Sequence, residues 1–448
     1  MIAKTKIFKI GNIHEFILRG LITISILYLL FHYRAGGPTE SYSQSSLRDL
    51  GPYIDGGKAV LHGQNPYIPA ITRSGPFGSI PLVLLFYFIP ESLIMPIFQL
   101  LSLLGIILFA KIMFPNVTVK ERLLIFILGL WSSPTREMLT TNQLTGFILG
   151  LLAIGVKIYW GELIGKNKSA NIFLSSVIFA ISLDLKPQVS FFIFLAFAIS
   201  VKSARLCATT FFVILVIHVI IDLIQNRFLE KDYMYLLNSL GKDTVGLEKG
   251  DSVSFWPLIY SSVNNFKLIT FMSLTLISVS SIYLIAISSK KPLHLSIFIS
   301  CLIPTLSTYF HFYDLIPLYL IISFYIIKFI KPVIGFLLLS LFTIPIEIFT
   351  SYNSLLILGL ALLVVLNSDF NWNNRRKVYE EILIGLILSL SIRILNDLLD
   401  INDHLLQSLV TTECIVISFI YLLKILNFQK DLNYLLKRIN LLLQFKLK

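Results

Sequence analysis

Apolar runs of about 15 to 25 residues recur along the chain from residue 16 onward, and polar residues gather in the short stretches between them. Runs of that length match the roughly 20 residues a helix needs to cross a bilayer core. Followed from the N-terminus, the first span runs from Phe16 to Tyr33, and a polar loop over 34–79 comes next. A proline-broken apolar stretch from Ile80 to Phe114 then returns; it is either one span or a short re-entrant piece divided from a span at Pro90. Further segments lie near 123–133, 145–160, 171–185, 188–201 and 205–225. After a second polar loop over 226–267, the pattern resumes at 266–288, 294–309, 313–330, 332–349, 354–367, 378–395 and 405–426. Several segments are shorter than a straight span. The pattern predicts an all-α polytopic membrane protein of about 12–14 transmembrane helices, with residues 1–426 as a single membrane domain. No internal repeat is evident, which argues against an inverted-repeat transporter.

Composition agrees. The chain is 56% hydrophobic and only 14% charged, with mean hydropathy +0.80 over 448 residues, where soluble domains carry about 25% charged residues. A soluble enzyme, a DNA-binding module and a disordered chain are excluded. The first apolar segment is too long for a cleavable signal peptide and lacks a small-x-small cleavage site, so no cleavage is expected. Net charge is +12, but its distribution is topogenic. Lys4, Lys6 and Lys9, then Lys111, Lys120 and Arg122, Lys157, Lys166 and Lys168, Lys202 and Arg205 occupy alternate short loops. Lys290 and Lys291, Lys328 and Lys331, and Arg375, Arg376 and Lys377 continue the series. Placing this set in the cytoplasm, together with the basic tail at Lys430, Lys437, Arg438, Lys446 and Lys448, puts about two thirds of all Lys and Arg inside and both termini with them. The expected location is a bacterial inner membrane. The tail, 427–448, sets Leu432, Leu435, Leu436, Ile439 and Leu443 opposite Lys430, Lys437 and Arg438. That spacing reads as a basic amphipathic helix on an anionic leaflet, or a plain anchoring tail. The sequon Asn116-Val-Thr118 falls on the cytoplasmic side of this topology. Cys207, Cys301 and Cys414 stand isolated in apolar segments and suggest neither disulfides nor a metal site.

Polar groups gathered at one membrane face need a reason, because each is costly at depth. The richest gathering is the first loop: Arg48-Asp-Leu-Gly-Pro-Tyr-Ile-Asp-Gly-Gly-Lys58, then His62-Gly-Gln-Asn-Pro-Tyr67. Its glycines and Pro66 punctuate short helices or turns, and a short helix would put Asp49 and Tyr53 on one face. Asp49 is then either a general base aimed at the interface or a helix-start acid. Lys186, after Leu183-Asp-Leu185 and before Pro187, is either a site cation or a lysine that snorkels or pairs with Asp184. Arg136 and Glu137 form either part of a site or a surface ion pair. Tyr309-Phe-His311-Phe-Tyr-Asp314 is either a sugar-contacting cluster or an interfacial aromatic belt with a polar rim. Asp243, Glu248, Asp251 and Trp256 of the second loop line an acceptor site or a solvated loop.

Asp49-x-x-x-Tyr53, Gly63-x-Asn65-Pro66-Tyr67 and the prolines from Pro76 to Pro81 resemble the bacterial polyprenol-phosphate-mannose-dependent mannosyltransferase family of the GT-C superfamily. Thr141-Asn-Gln143-Leu-Thr-Gly146 is similar to that family's Gly-Gln-x-Asn stretch, departing from it at the Gly and Asn positions. Leu185-Lys186-Pro187-Gln188 looks like its Lys-Pro motif. The resemblance spans roughly residues 47 to 314. It implies a GT-C-type bundle with outer-face juxtamembrane helices, and inverting transfer of a sugar, mannose first, from a polyprenyl-phosphate donor to a glycolipid or glycan acceptor. Asp49 corresponds to the catalytic base; Lys186 and Arg136 are the expected donor-phosphate contacts, and His311 a second proton-transfer or phosphate-contacting residue. Tyr53, Asn65, Tyr67, Gln143 and Asp314 are expected to bind substrate. No cofactor or metal is implied, and membrane lipids rather than nucleic acid are the expected surroundings. The alternatives are a transporter or flippase of lipid-linked sugars, which should place ionisable residues mid-span, and an envelope polysaccharide polymerase or ligase, which should have a large late outer loop.

Overall fold

A computed structural model describes residues 10–33, 49–67, 74–115, 117–163, 165, 167–229, 231–233, 254–263, 265–288, 293–308, 310–329, 411–412 and 415–418. In chain order the helices are α1 (Ile10–Tyr33), α2 (Leu50–Leu61), α3 (Pro76–Phe86), α4 (Glu91–Met113), α5 (Val119–Trp131), α6 (Ser133–Thr141) and α7 (Thr145–Tyr159). They continue as α8 (Lys168–Leu185), α9 (Pro187–Ser200), α10 (Ala204–Gln225), α11 (Trp256–Val263), α12 (Phe266–Ser288) and α13 (Leu293–Leu302). Two 3-10 turns, Ile303–Leu306 and Phe312–Leu315, lead into α14 (Ile316–Phe329). The expected segments 332–349, 354–367 and 378–395, most of 405–426, and the amphipathic tail lie outside the described residues, as do Asp243, Glu248 and Asp251.

Among the described residues five helices are long and apolar enough to cross a membrane: α1, α4, α8, α10 and α12. The bent pair α6–α7, turning through 105°, makes a sixth if taken as one broken span. The largest apolar side chains on the outer helices face outward, with Phe31 82%, Ile224 79% and Phe271 69% exposed. That is the reverse of a water-soluble surface and is what a lipid solvent requires. The protein is an all-helical, multi-pass membrane protein.

Local chemistry sets the helix ends. Thr118 and Glu121 form a reciprocal capping box at the start of α5, satisfying two amides that have no intrahelical partner. Ser132 accepts from the Thr135 amide to start α6. The stretch from Ile80 to Phe114 resolves into a short helix and one span. α3 has 11 residues, about 16 Å at the α-helical rise, too little to cross, whereas α4 has 23.

The core runs through α1, α4, α5, α7, α8, α9, α13 and α14. One close helix crossing within it is built on glycine. A Cβ at Gly105 of α4 would lie 2.2 Å from the Gly146 carbonyl oxygen of α7, and one at Gly146 would lie 2.7 Å from the Ser102 carbonyl oxygen. Small residues let backbones approach this closely where no water drives association. The same device corrects the reading of the first loop. Gly56 and Gly57 do not break α2; a Cβ at Gly57 would sit 2.6 Å from the Ser79 carbonyl oxygen, so glycine there lets α2 lie against α3.

Alanine at Gly105 should therefore destabilise the bundle by about 2 kcal/mol or more, because a backbone must move. Alanine at Gly20, where nothing lies within 4 Å, should stabilise by about 0.5–1 kcal/mol through helix propensity. Thermal unfolding in detergent distinguishes them; equal shifts would contradict the close crossing.

Candidate functional site at the broken-helix face

Three breaks in the helices meet at one end of the bundle. At the first, α6 ends with Asn142 in the left-handed region (φ 54°, ψ 44°), and the chain turns into α7. Asparagine adopts that conformation more readily than most residues other than glycine. This is the position at which the Gly-Gln-x-Asn pattern has glycine. Gln99 of α4, 1% exposed, braces the bend by donating to the Leu139 carbonyl (3.1 Å) and to Asn142 Oδ1 (2.9 Å).

The second break is Lys186-Pro187. Proline cannot supply the amide that would continue α8, and it starts α9 at the first helical position. The Ser190 hydroxyl shares its one proton between the carbonyls of Ser182 (2.9 Å) and Lys186 (2.8 Å), reinforcing oxygens that already accept from the amides of Lys186, Val189 and Ser190. The third break is the pair of 3-10 turns before α14, where His311 stands ahead of Phe312–Leu315.

Asp49 occupies the N-cap position of α2, but its side chain makes no cap hydrogen bond. Its Oδ2 instead accepts a short hydrogen bond from Gln143 Nε2, 94 residues away, and its backbone amide donates to the Thr141 carbonyl at 3.2 Å. An exposed carboxylate is thus oriented by a neighbouring helix bend. Lys186 is 2% exposed and does not snorkel. Nor does it pair with Asp184: its Nζ lies 2.6 Å from Asp314 Oδ1 and 2.7 Å from Thr145 Oγ1, and 4.3 Å from the centre of the Tyr313 ring. The Thr145 hydroxyl is also 2.7 Å from Asp314 Oδ1. His311 stacks on the same Tyr313 ring, with ring centres 5.0 Å apart at 15°. The Asp49 carboxylate contributes to the electrostatic field at Lys186.

The structure therefore joins Asp49 to Gln143, and Lys186 to Asp314 with His311 one ring away. Arg136 is fully buried in α6, which packs on the Phe312–Leu315 turn, so it is no surface ion pair. Tyr53 lies half-buried at the edge of the core. Asn65 and Tyr67 stand apart from this group. Asn65 donates to Asp232 (2.7 Å) and accepts from the Tyr67 amide (2.9 Å). The Tyr67 hydroxyl donates to the Ser74 carbonyl (3.0 Å), and its ring packs on Tyr233. Both tie down the first loop. Burial and the charge of Asp184 push the Tyr233 hydroxyl up to about 12, so it stays neutral there. Trp256 is buried and donates to the Leu306 carbonyl at 2.8 Å, a structural anchor rather than a lining residue.

Sequence reasoning quoted Thr145 and Tyr313 within their stretches without placing either beside Lys186, and it missed the partners of Asp184. Asp184 Oδ1 lies 2.9 Å from His218 Nε2 of α10, and its Oδ2 accepts from the Gly78 amide at 2.5 Å. Its own carbonyl accepts from the Gly75 amide at 2.9 Å. A carboxylate at the start of α3 satisfies a free amide and complements the helix dipole. A Cβ at Gly75 would lie 2.0 Å from Asp184 Oδ1, so only glycine admits this contact. Asp184 thus fastens the α2–α3 hairpin, which carries Asp49, onto the turn that carries Lys186. Among the described residues, no three His, Cys, Asp or Glu side chains converge, so none is assigned to a metal.

An all-helical membrane bundle with its polar groups concentrated where helices break is the class these observations define. No family model matches the chain, and no curated protein matches it.

Alanine at Asp184 should remove the acceptor of the Gly78 amide and the carboxylate that faces His218, and destabilise the protein by about 2–3 kcal/mol. Limited proteolysis should then cut within 62–75 before the wild type is cut. Unchanged proteolysis would mean that Asp184 does not hold the hairpin.

Proposed function

We propose that this chain is a GT-C-type membrane glycosyltransferase. It moves a sugar, mannose first, from a polyprenyl-phosphate donor to a glycolipid or polysaccharide hydroxyl at the outer face of a bacterial inner membrane. The observation that carries the reading is the placement of Asp49: exposed, at a helix start it does not cap, and held by Gln143 of the stretch that resembles the same family. Lys186, whose motif is the third point of resemblance, lies within the electrostatic reach of that carboxylate.

In this mechanism the acceptor oxygen attacks the anomeric carbon while Asp49 takes its proton. The bond from that carbon to the phosphate oxygen breaks on the opposite side, and its electron pair stays on the phosphate, giving inversion. A positioned base contributes about 10²- to 10⁴-fold. Cations fixed in a low-dielectric site stabilise the departing phosphate without reorganising. Lys186 and Arg136 supply that charge, and His311, one ring from Lys186, contacts the phosphate or moves a proton. Asp314 is the counter-ion of Lys186 in this scheme rather than a sugar ligand.

Orientation follows from charge. Lys111, Lys157 and Lys168 occupy the ends of α4, α7 and α8 remote from the broken-helix face. If that basic end is cytoplasmic, the site faces outward and both termini lie inside.

The test is transfer of radiolabelled sugar from synthetic polyprenyl-phosphate-mannose to membrane extracts. Asp49→Asn should keep the fold and lose at least about 100-fold in rate. A fully active Asp49→Asn enzyme would sink the mechanism. Loss of transfer by the wild type with the donor still bound would shift the reading toward another sugar or a flippase.

A further inference from the structure

Thr145 is the first residue of α7 and is wholly buried. Its hydroxyl sits between two opposite charges. It accepts from Lys186 Nζ at 2.7 Å and donates to Asp314 Oδ1 at 2.7 Å, while those two groups meet directly at 2.6 Å. The three atoms form a closed triangle. One hydroxyl can serve both neighbours because it offers an acceptor lone pair and a single proton. Among the described residues Asp314 Oδ2 takes no hydrogen bond, so Oδ1 carries the whole interaction.

A lone lysine–carboxylate contact is a point-charge contact about which the ammonium can turn. The hydroxyl removes that freedom. With two of its three N–H groups committed and the Tyr313 ring on another side, the ammonium is held at one place relative to Asp49. Thr145 also begins the helix directly after the Asn142 bend that carries Gln143. One short stretch therefore orients the carboxylate and the cation together.

We propose that Thr145 is a positioning residue of the donor site: its hydroxyl fixes the Lys186 ammonium where the phosphate of a polyprenyl-phosphate ligand binds. The inference rests on the glycosyltransferase reading. It concerns the hydroxyl and not the bulk of the side chain, which separates it from a packing role.

The experiment measures binding of a synthetic polyprenyl phosphate, the leaving group of the reaction, to the full chain in lipid nanodiscs. Donor KM and kcat are followed in parallel. Thr145→Val keeps shape and removes the hydroxyl; Thr145→Ser keeps the hydroxyl. The valine variant should bind about tenfold more weakly and the serine variant within about twofold of wild type. Acceptor KM should be unchanged in both. Thr145→Cys, with a weak donor and acceptor, should fall between them, and it takes the place of valine where that variant does not fold. Equal weakening by serine and valine, or wild-type binding by valine, overturns the proposal while leaving the glycosyltransferase reading intact. Failure of the wild type itself to bind polyprenyl phosphate removes that reading and this inference with it.

Discussion

A lysine ammonium cannot remain charged at 2% exposure among apolar helices without an opposite charge at contact distance. The pair Lys186–Asp314 meets that demand, and much of the surrounding architecture serves it. The two residues come from different parts of the chain, one at the break between α8 and α9 and one in the turn before α14. Removing either partner of a buried pair costs about 3–5 kcal/mol, because the other is left uncompensated. The pair therefore ties the middle of the chain to its later helices at one depth, with the hydroxyl of Thr145 and the face of Tyr313 beside the ammonium.

Broken helices are the backbone counterpart of this constraint. Unsatisfied amides and carbonyls are tolerated at depth only where protein groups answer them. The amides of Val189 and Ser190 and the Ser190 hydroxyl all turn to the Lys186 carbonyl, Gln99 braces the bend at Asn142, and Asp184 answers the amide of Gly78. Each break turns a helix end toward the same face and brings one polar side chain with it: Gln143, Lys186 or Asp314. Unbroken spans would leave these groups pointing at lipid. The cost of the breaks and the presence of the polar cluster are one fact seen from two sides.

The spans were legible in the sequence because lipid imposes a length and an apolar composition. Segments expected at 145–160, 188–201, 205–225 and 266–288 fall within a residue or two of α7, α9, α10 and α12. The partners were not legible, because nothing in one sequence fixes which polar ends meet. Asp184, two residues from Lys186, was the obvious partner on spacing, yet residues two apart do not share a helix face. It turns instead to His218 and Gly78. Gly56 and Gly57 read as breakers but lie within α2, since a close neighbour can demand glycine as firmly as a turn does. Asn65 and Tyr67 belong to a motif that resembles a family signature, but here their hydrogen bonds hold the loop together. A motif reports what must be present and not which atom does the chemistry. Asn142 shows the converse. The departure from glycine at that position costs little, because the left-handed bend is what the position requires.

Burial divides the labour between the two charged groups of the proposed site. Asp49 is exposed, as a base must be to meet an acceptor arriving from water or from the headgroup layer. Lys186 is buried, as a cation must be to act strongly on a phosphate held at the lipid boundary. On that reading the bond to be broken lies across the boundary between these environments, with the proton leaving on the wet side and the phosphate charge developing on the dry side. Asp184 then has a role without touching either reactant. It fixes the hairpin that carries the base to the turn that carries the cation, and so sets the span across which a sugar has to fit.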